Sequence, residues 1–544
     1  MAINLSAVQT SIRDLFFNNK QYIIPEFQRP YSWGNEQCYQ FYKDLTNAFA
    51  KGEEYFLGNI ILATSERDKD SPQIIDGQQR MITLWILLKV LSIYVENIDL
   101  EGTVLQLKSW KKGEASRPKV ASTVEYQQDG DNIKKLLAYN ASDFENRKSA
   151  TLDSKNQDIR EDKSESQIEY VSLMLFHWIS QDDITNEDKE NFVDYLLDHV
   201  YMLPIEMGGS SIEEAREKAL TIFETINNRG MDLQDADIFK ARIYRNAMAK
   251  HDENLFMSRW NSLMERVMLL NTNIDEVFRC YYHIIRGQIG KTNSESKLRD
   301  FFLNDKNSPM TYMNHSEIMD NLHRVVDSME QLSLYNNDDS EVAGWIQALN
   351  VYSNIFPRYA LIAYLFKYSE PQATHFLQYV KSIARYVYYF GSTTSIKFGI
   401  YNIIQRMSQD FPIEHYYRSD FQITELSSSS RLLNGLSLIA YYQAGNATIK
   451  HPVIEKFVYE SEVSEASKTK EFSGFDYDMV YALANYIVLE KSVRGQKASV
   501  RLKTIAARPY MMNFLKGAIL DRSNYDARKS KIEELLIMFF KGNE

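Results

Sequence analysis

The chain has 544 residues, of which 44% are hydrophobic and 13% aromatic, with 21 glycines and 11 prolines. A domain usually takes about 100 to 200 residues, so this length and composition predict two to four well-packed domains rich in helix. The formal net charge of -11 excludes a uniformly basic nucleic-acid-binding surface but leaves local basic patches open. Cys38 and Cys280 are too few and too far apart for a disulfide framework or a zinc site.

Targeting features are missing from the sequence. The N-terminal segment lacks the basic-then-apolar order of a signal peptide, and no apolar run approaches the ~18 residues that span a membrane. No pattern of His or Cys defines a metal site. We therefore expect a cytoplasmic protein with no membrane partner and no metal site of its own.

Residues 1 to about 95 are predicted to form a small α+β unit. The run YIIP at 22–25 is strand-like, and Asn35 can cap a helix that carries Tyr39 and Leu45 on its apolar side. Residues 56–63 (FLGNIILA) and 73–75 indicate a β-hairpin across the polar segment 64–72. Helical spacing of apolar residues over 80–95 then predicts that a strand turns into a helix at residues 76–80.

The rest of the chain is predicted to be largely helical. Residues 141–167 are almost free of apolar residues, which favours a mobile loop or linker. A helix over 212–226 is expected to end at Gly230, with a second helix from Asp235. The GKT sequence that ends at Thr292 lacks the glycine spacing of a phosphate-binding P-loop, so we interpret it as a helix-ending turn.

The segment DGQQR, residues 76–80, occupies the predicted strand-to-helix junction. Such a junction offers free backbone N–H groups and a partial positive charge, which suit a phosphate. Gly77 allows close backbone approach, Gln78 and Gln79 offer amide donors and acceptors, and Arg80 offers a planar fork for phosphate oxygens. Asp76 is better suited to bind magnesium or water, or to cap the turn. The alternative is a polar capping turn with Arg80 in a salt bridge.

A second Gln–Arg pair, Gln28 and Arg29, lies upstream in IPEFQRPYSW, beside aromatic residues that can cover a base. The alternative is an aromatic core plug with a solvated Arg29. Since each Gln–Arg pair adjoins a strand end, the two together favour a shared anionic ligand.

Four motifs in order resemble a known family: IIPEFQRPYSW, FLGNIIL, IIDGQQRMITL and IFETINNRGMDLQDADIFKA, within residues 20 to about 245. They look like the N-terminal domain of GmrSD-type restriction proteins, which is similar to the ParB and sulfiredoxin fold. The resemblance implies binding and hydrolysis of a nucleoside triphosphate at DGQQR, with or without Mg2+. Matched motif to motif, it assigns catalysis to Asp76, Gln78, Gln79 and Arg80. It assigns nucleotide binding to Gln28, Arg29, Gly77, Arg80, Asn228 and Arg229, with Asn227 in support.

Members of this family often end in an HNH-type nuclease, and the C-terminal part of this chain resembles that module only in part. ANYIVLE at 484–490 is similar to its later, Asn-bearing portion, whereas Lys456 stands where the expected histidine would fall. His451 lies nearby at the wrong spacing. Nuclease activity is therefore doubtful, and we predict a degenerate HNH-like module.

A basic segment, residues 491–508, holds six basic residues and no acidic one. It predicts contacts to a nucleic-acid backbone, and a solvated helix face is the equally favoured alternative. The candidate residues are Lys491, Arg494, Lys497, Arg501 and Lys503.

The sequence thus predicts an α+β N-terminal domain with a small sheet, followed by a mainly α-helical remainder. We place a GmrSD-like nucleotide-binding domain at 1–245, a helical domain at 246–430 and the HNH-like module at 431–544. The expected function is antiphage defence or restriction, in which nucleotide hydrolysis controls engagement of DNA. The alternatives are an active nuclease with an atypical C-terminal site, and a non-enzymatic regulatory subunit that binds nucleotide or DNA. A second copy of the chain or another defence protein is a candidate partner.

Overall fold

The computed structural model describes residues 8–97, 99–107, 116–124, 128–153, 158–182, 185–227, 235–291, 295–390, 393–423, 430–507 and 517–542. By internal contacts the chain forms two compact units. The first unit comprises Met1–Glu265 and Pro309–Ile318, and the second comprises Arg266–Ser308 and Met319–Glu544. The three-domain division with boundaries at 245 and 430 stays a prediction.

The strands are distributed over both units. Those of the first unit are β1 (Thr10–Ser11), β2 (Tyr22–Ile24), β3 (Tyr55–Ser65), β4 (Asp68–Asp76), β5 (Gln106–Leu107), β6 (Arg117–Pro118), β7 (Val120–Ser122), β8 (Leu152–Asp153), β9 (Asp158–Ile159) and β10 (Val200–Gly209). Those of the second unit are β11 (Val453–Lys456) and β12 (Tyr486–Leu489).

Helices account for most of the described chain. Up to residue 269 they are α1 (Ile12–Phe16), α2 (Asn35–Lys51), α3 (Gln78–Leu91), α4 (Asp129–Ala138), α5 (Ala141–Thr151), α6 (Gln167–Gln181), α7 (Asn186–Asp198), α8 (Ile212–Asn227), α9 (Asp235–Met248) and α10 (Glu253–Leu269). Further along come α11 (Ile274–Gln288), α12 (Leu298–Asn304), α13 (Pro309–Tyr312), α14 (His315–Tyr335), α15 (Glu341–Asn350), α16 (Phe356–Lys367), α17 (Ala373–Phe390), α18 (Thr393–Ser408), α19 (Ser430–Gln443), α20 (Val463–Ala466), α21 (Ala498–Ala506) and α22 (Arg522–Lys541). The predicted α+β unit followed by a mainly helical remainder is confirmed.

The first unit contains a six-stranded mixed sheet with the strand order β1-β10-β3-β4-β2-β7. The predicted hairpin is confirmed, since β3 and β4 pair antiparallel, with a shorter turn than the polar composition suggested. Ile61 pairs with Asp76, whereas Leu62 pairs with Ile74. Strand β4 therefore carries an extra residue, Ile75, at the end of the hairpin that is far from the turn. Such a bulge bends a strand and re-aims the residues that follow it, here the start of α3.

Helix α3 is the buried centre of the first unit. Its sequence shows apolar residues at helical spacing, but residues between them, such as Ile82, Ile86 and Leu87, are equally buried. The helix is therefore packed on all sides rather than on one face. Because the DGQQR segment opens this helix, its backbone is fixed by the core of the unit.

Two predicted local features differ from the structure. Residues 141–167, predicted as a mobile loop or linker, contain helix α5, which starts at an Asn140 cap and is anchored by buried Phe144 stacked on Phe176. Buried Thr151 and the ion pair of Arg147 with Glu169 on α6 also hold this helix, so a polar composition does not exclude a packed helix. Helix α2 is capped by Gly34 rather than Asn35, and Tyr39 on that helix is exposed.

The second unit is predominantly helical and carries a two-stranded antiparallel sheet of β11 and β12. Helix α11 ends at Gln288 and Gly290 has a left-handed φ of 66°, so the predicted helix-ending turn is confirmed. Within the described residues, no helix is both long and apolar enough to cross a membrane.

Candidate functional site

A cavity of about 680 Å3 lies in the first unit, where β4 passes into α3. The structure brings into its lining seven residues that the sequence predicted: Gln28, Arg29, Asp76, Gly77, Gln78, Gln79 and Arg80. Asn228 and Arg229 lie outside the described residues, as does the side chain of Asn227. The two Gln–Arg segments therefore share one site, as their common position beside strand ends predicted.

Gly77 forms the turn between strand and helix. Its φ of 88° is left-handed, and it occupies the N-cap position of α3. A Cβ at this residue would lie 3.1 Å from the carbonyl oxygen of Asn59 on β3. The turn thus favours glycine both by conformation and by its close approach to the neighbouring strand.

Gln79 and Gln28 tether the two segments to each other. Gln79 Nε2 donates to the carbonyl of Pro30 at 3.0 Å, and Gln79 Oε1 accepts from the Ser32 N–H at 2.9 Å. Gln28 Nε2 donates to the carbonyl of Ile75 at 2.9 Å. These amide groups hold the loop of residues 28–32 against the DGQQR turn and so shape the cavity wall.

Gln78 differs from Gln79 in what its side chain leaves available. Its Nε2 donates to the carbonyl of Arg29 at 3.0 Å, which fixes the orientation of the carboxamide. Gln78 is only 6% exposed, so its Oε1 is shielded from solvent. This oxygen has no hydrogen-bond partner among the described residues. A buried acceptor without a donor is costly, so this atom is suited to accept an N–H or O–H of a bound molecule.

Arg80 braces the neighbouring strand. Its Nη1 and Nη2 donate to the carbonyls of Leu57 and Asn59 at 2.7 and 2.9 Å, and Nη2 lies 3.7 Å from Asp76 Oδ2. The salt bridge of the capping-turn alternative is thus present, while the guanidinium still lines the cavity. Burial raises the pKa of the Asp76 carboxyl, against the lowering effect of the nearby arginines.

Helix α9 supplies two charged residues that sequence reasoning did not single out. Asp237 Oδ2 lies 3.5 Å from Arg29 Nε, and Lys240 Nζ donates to the carbonyl of Gln28 at 3.3 Å. Burial lowers the pKa of Lys240 to about 7, with Asp237 and Glu26 acting in the opposite direction. The signal was the three-residue spacing of Asp237 and Lys240 within DADIFKA, which puts both on one side of a helix.

Aromatic and apolar side chains complete the wall. They are Phe27, Trp33, Leu57, Leu220 and Phe223. One part of the cavity wall carries cationic side chains and an available hydrogen-bond acceptor, and another part carries aromatic rings. This combination is typical of sites for small polar molecules that contain a flat ring.

The HNH-like residues at the two-stranded sheet of β11 and β12 have structural roles. Asn485 is fully buried, its Nδ2 donates to the carbonyls of Val458 and Val480, and its Oδ1 accepts from the Val458 N–H. Lys456, where the histidine was expected, places its Nζ 4.1 Å from the ring centre of Tyr481. In the described part of the chain, no group of three or more His, Cys, Asp or Glu residues is arranged to hold a metal ion.

The basic segment after β12 divides into surface and core residues. Lys491, Arg494, Lys497 and Lys503 are exposed. Arg501, predicted as a nucleic-acid contact, is 1% exposed; its guanidinium donates to the carbonyls of Phe457 and Gln496 and pairs with Glu462 at 2.5 Å. That prediction is wrong for Arg501, because the periodicity of α21 turns this one cation inward.

The fold and cavity define a class: a protein with an α+β domain whose strand-to-helix turn lines a polar cavity, followed by a helical region. Residues 12–244 match the family described as GmrSD restriction endonuclease, N-terminal domain. This segment, which is less than half of the chain, is therefore similar to the N-terminal domain of GmrSD-type restriction proteins. The match supports a function related to restriction or defence. No curated protein matches the chain.

Proposed function

We propose that the cavity binds a nucleoside triphosphate and hydrolyses it, and that this reaction controls engagement of DNA during restriction or phage defence. The observation that carries the proposal is the convergence of Arg29, Lys240 and the unpartnered Gln78 Oε1 on one cavity beside the N-terminus of a buried helix. Its volume of about 680 Å3 lies within the roughly 300–1,000 Å3 common for small-molecule sites.

Catalysis at this site would rest on positioning and charge stabilisation. Arg29 and the backbone N–H groups at the start of α3 would hold phosphate oxygens, while the ring of Trp33 would cover the base. Gln78 Oε1 would accept a hydrogen bond from the attacking water, whose proton would pass to a γ-phosphate oxygen, while Asp76 stays ionised and orients the water or Mg2+. The water oxygen bonds to the γ-phosphorus as the bond to the β–γ bridging oxygen breaks, which yields a nucleoside diphosphate and phosphate.

Mg2+ fits this donor set as a companion of the nucleotide. Such ions are commonly held by one or two carboxylates together with substrate phosphates, and Asp76 is a carboxylate in the cavity wall. When bound, Mg2+ would neutralise charge on the β- and γ-phosphates.

Binding and phosphate release test the proposal. Each of the four common nucleoside triphosphates is titrated into the wild type, Arg29→Gln and Asp76→Asn, with Arg67→Gln as a matched control because Arg67 is exposed at the hairpin turn. We expect Arg29→Gln to weaken binding by about tenfold or more, and Asp76→Asn to lower turnover more than affinity.

Three outcomes would contradict the proposal. No binding by the wild type, or equal effects of Arg29→Gln and Arg67→Gln, would remove the site from consideration. Tight binding without phosphate release would instead favour the non-enzymatic regulatory alternative.

DNA engagement is proposed at the exposed cations of the second unit, Lys491, Arg494, Lys497 and Lys503. Exposed Tyr477 and Tyr481 belong to the same HNH-like module and add rings on which bases can stack. With Lys456 in place of the histidine, we expect plasmid and phage DNA to stay intact with Mg2+ or Mn2+. Cleavage under either condition would favour the active-nuclease alternative.

A further inference from the structure

Lys240 occupies an unusual position for an ammonium group. Its side chain is 4% exposed, yet the residue lines the cavity. Its Nζ makes a long hydrogen bond to the Gln28 carbonyl and lies 5.2 Å from the ring centre of Trp260 on α10. An ammonium carries three donors, so one weak acceptor and one aromatic face replace little of the water that it loses on burial.

The charged groups that face Lys240 do not compensate for this loss. From its own helix comes Asp237, whose carboxylate also pairs with Arg29 at 3.5 Å. From the loop after β2 comes Glu26, which acts at a distance, while α8 contributes apolar Leu220 and Phe223 to the cavity. The loss of hydration on burial therefore outweighs the attraction of the two carboxylates, and the pKa of Lys240 falls to about 7.

We propose that Lys240 takes up a proton as the polyphosphate of a nucleoside triphosphate enters the cavity, so that nucleotide binding is coupled to protonation of this residue. The inference rests on the proposed nucleotide site and names the group that regulates it. A polyphosphate supplies negative charge and oxygen acceptors, of which the described protein groups around the ammonium provide few. Hydrolysis removes the γ-phosphate and so reduces that negative charge. When the products leave, Lys240 therefore releases its proton to solvent.

The coupling fixes the sign of the pH dependence. The pKa of Lys240 is about 7 in the free protein and higher in the complex. Affinity is therefore greatest below about pH 7 and falls as pH rises from there toward the pKa of the complex. An arginine at this position stays charged throughout and removes this dependence.

Titration calorimetry measures the proton directly. ATP, GTP, CTP, UTP and inorganic tripolyphosphate are each titrated at about pH 8 in Tris and in HEPES, whose heats of ionisation differ; phosphates of the ligand are then already ionised. We expect the wild type and Lys69→Arg, which changes an exposed lysine near the start of β4, to take up close to one proton per ligand bound. Lys240→Arg should bind without uptake, and Lys240→Met should bind at least about tenfold more weakly.

A second measurement keeps the inference testable if Lys240→Met does not fold. Lysine labelled at the Cε carbon should show one resonance that titrates near pH 7 in the wild type, moves to higher pH with tripolyphosphate and is missing in Lys240→Arg. Binding without proton uptake, or equal uptake in the wild type and Lys240→Arg, would overturn the inference while leaving the nucleotide site in place. No binding of any probe would overturn both.

Discussion

The guanidinium of Arg80 occupies the space beside Gly58 that any side chain at residue 58 would need. A Cβ there would collide with Arg80 Nη1, and Gly58 itself has a left-handed φ of 101°. This contact lets Arg80 reach the carbonyls of Leu57 and Asn59 on either side of the glycine. The FLGNIIL strand and the DGQQR turn therefore depend on each other.

Gly58→Ala should lower the free energy of unfolding by about 3 kcal/mol, because it combines backbone strain with a collision at Arg80. Urea unfolding followed by tryptophan fluorescence measures this loss. Gly52→Ala is the matched control: Gly52 has φ 67° but no neighbouring atom within 4 Å of a Cβ. It should cost about 1 kcal/mol. Equal losses in the two variants would show that the Arg80 contact contributes nothing.

Gln78 and Gln79 should separate in two measurements although they are adjacent. Gln79→Ala leaves the Ser32 N–H and the Pro30 carbonyl without their partner, so it should destabilise the protein by about 2 kcal/mol or more. Gln78→Ala removes one hydrogen bond, to Arg29, and should cost about 1 kcal/mol. Nucleotide affinity should fall further in Gln78→Ala, because its Oε1 is the available acceptor. The same ranking in unfolding and in binding would refute this division.

Local sequence signals were sufficient for the part of the site that is continuous in the chain. Apolar runs predicted the hairpin, and the change of periodicity placed DGQQR where β4 turns into α3. The division between Gln78 and Gln79 was not predictable, since it depends on which amide meets the loop of residues 28–32. Composition does not distinguish an amide that tethers a loop from one that faces a ligand.

The remaining residues of the site depend on contacts between distant parts of the chain. Lys240 and Gln28 are 212 residues apart, and the three-residue spacing of Lys240 from Asp237 indicates a shared helix side but not that this side faces the cavity. Arg501 presents the reverse case, since a basic run does not reveal which of its cations the helix turns inward. In α5, buried Phe144 and Thr151 and the Arg147–Glu169 ion pair hold a helix whose composition resembles a linker.

Asp129 should make stability depend on pH. Its carboxylate is 3% exposed and accepts the Tyr31 N–H at 2.7 Å, and burial raises its pKa to about 6. Because the folded-state pKa exceeds the unfolded value of about 3.9, this group stabilises the fold at low pH and loses that contribution as pH rises from about 4 to 6. Asp129→Asn keeps an acceptor without the charge. Between about pH 4 and pH 7, the free energy of unfolding of Asp129→Asn should therefore rise by about 2 kcal/mol relative to that of the wild type.

Urea unfolding of both proteins across that range measures the difference. Asp131→Asn serves as the control, because Asp131 lies in the same first turn of α4 and its side chain is 74% exposed. Its difference from the wild type should stay small at every pH. A difference between Asp129→Asn and the wild type that does not change with pH would rule out the buried carboxylate as the source.

Arg501 and Lys503 should behave oppositely in stability and in DNA binding. Arg501→Ala leaves the Phe457 carbonyl and the Glu462 carboxylate without their partner, so it should destabilise the second unit by about 3 kcal/mol. Lys503→Ala removes an exposed charge and should leave the free energy of unfolding within about 0.5 kcal/mol of the wild-type value.

Fluorescence anisotropy with a labelled duplex over a range of KCl concentrations gives the salt dependence of DNA binding. We expect the slope of log K against log salt to decrease in magnitude by about one for Lys503→Ala. It should be unchanged for Arg501→Ala under conditions where that variant is folded. A salt dependence altered by Arg501→Ala but not by Lys503→Ala would place the DNA contact on a different face of the module.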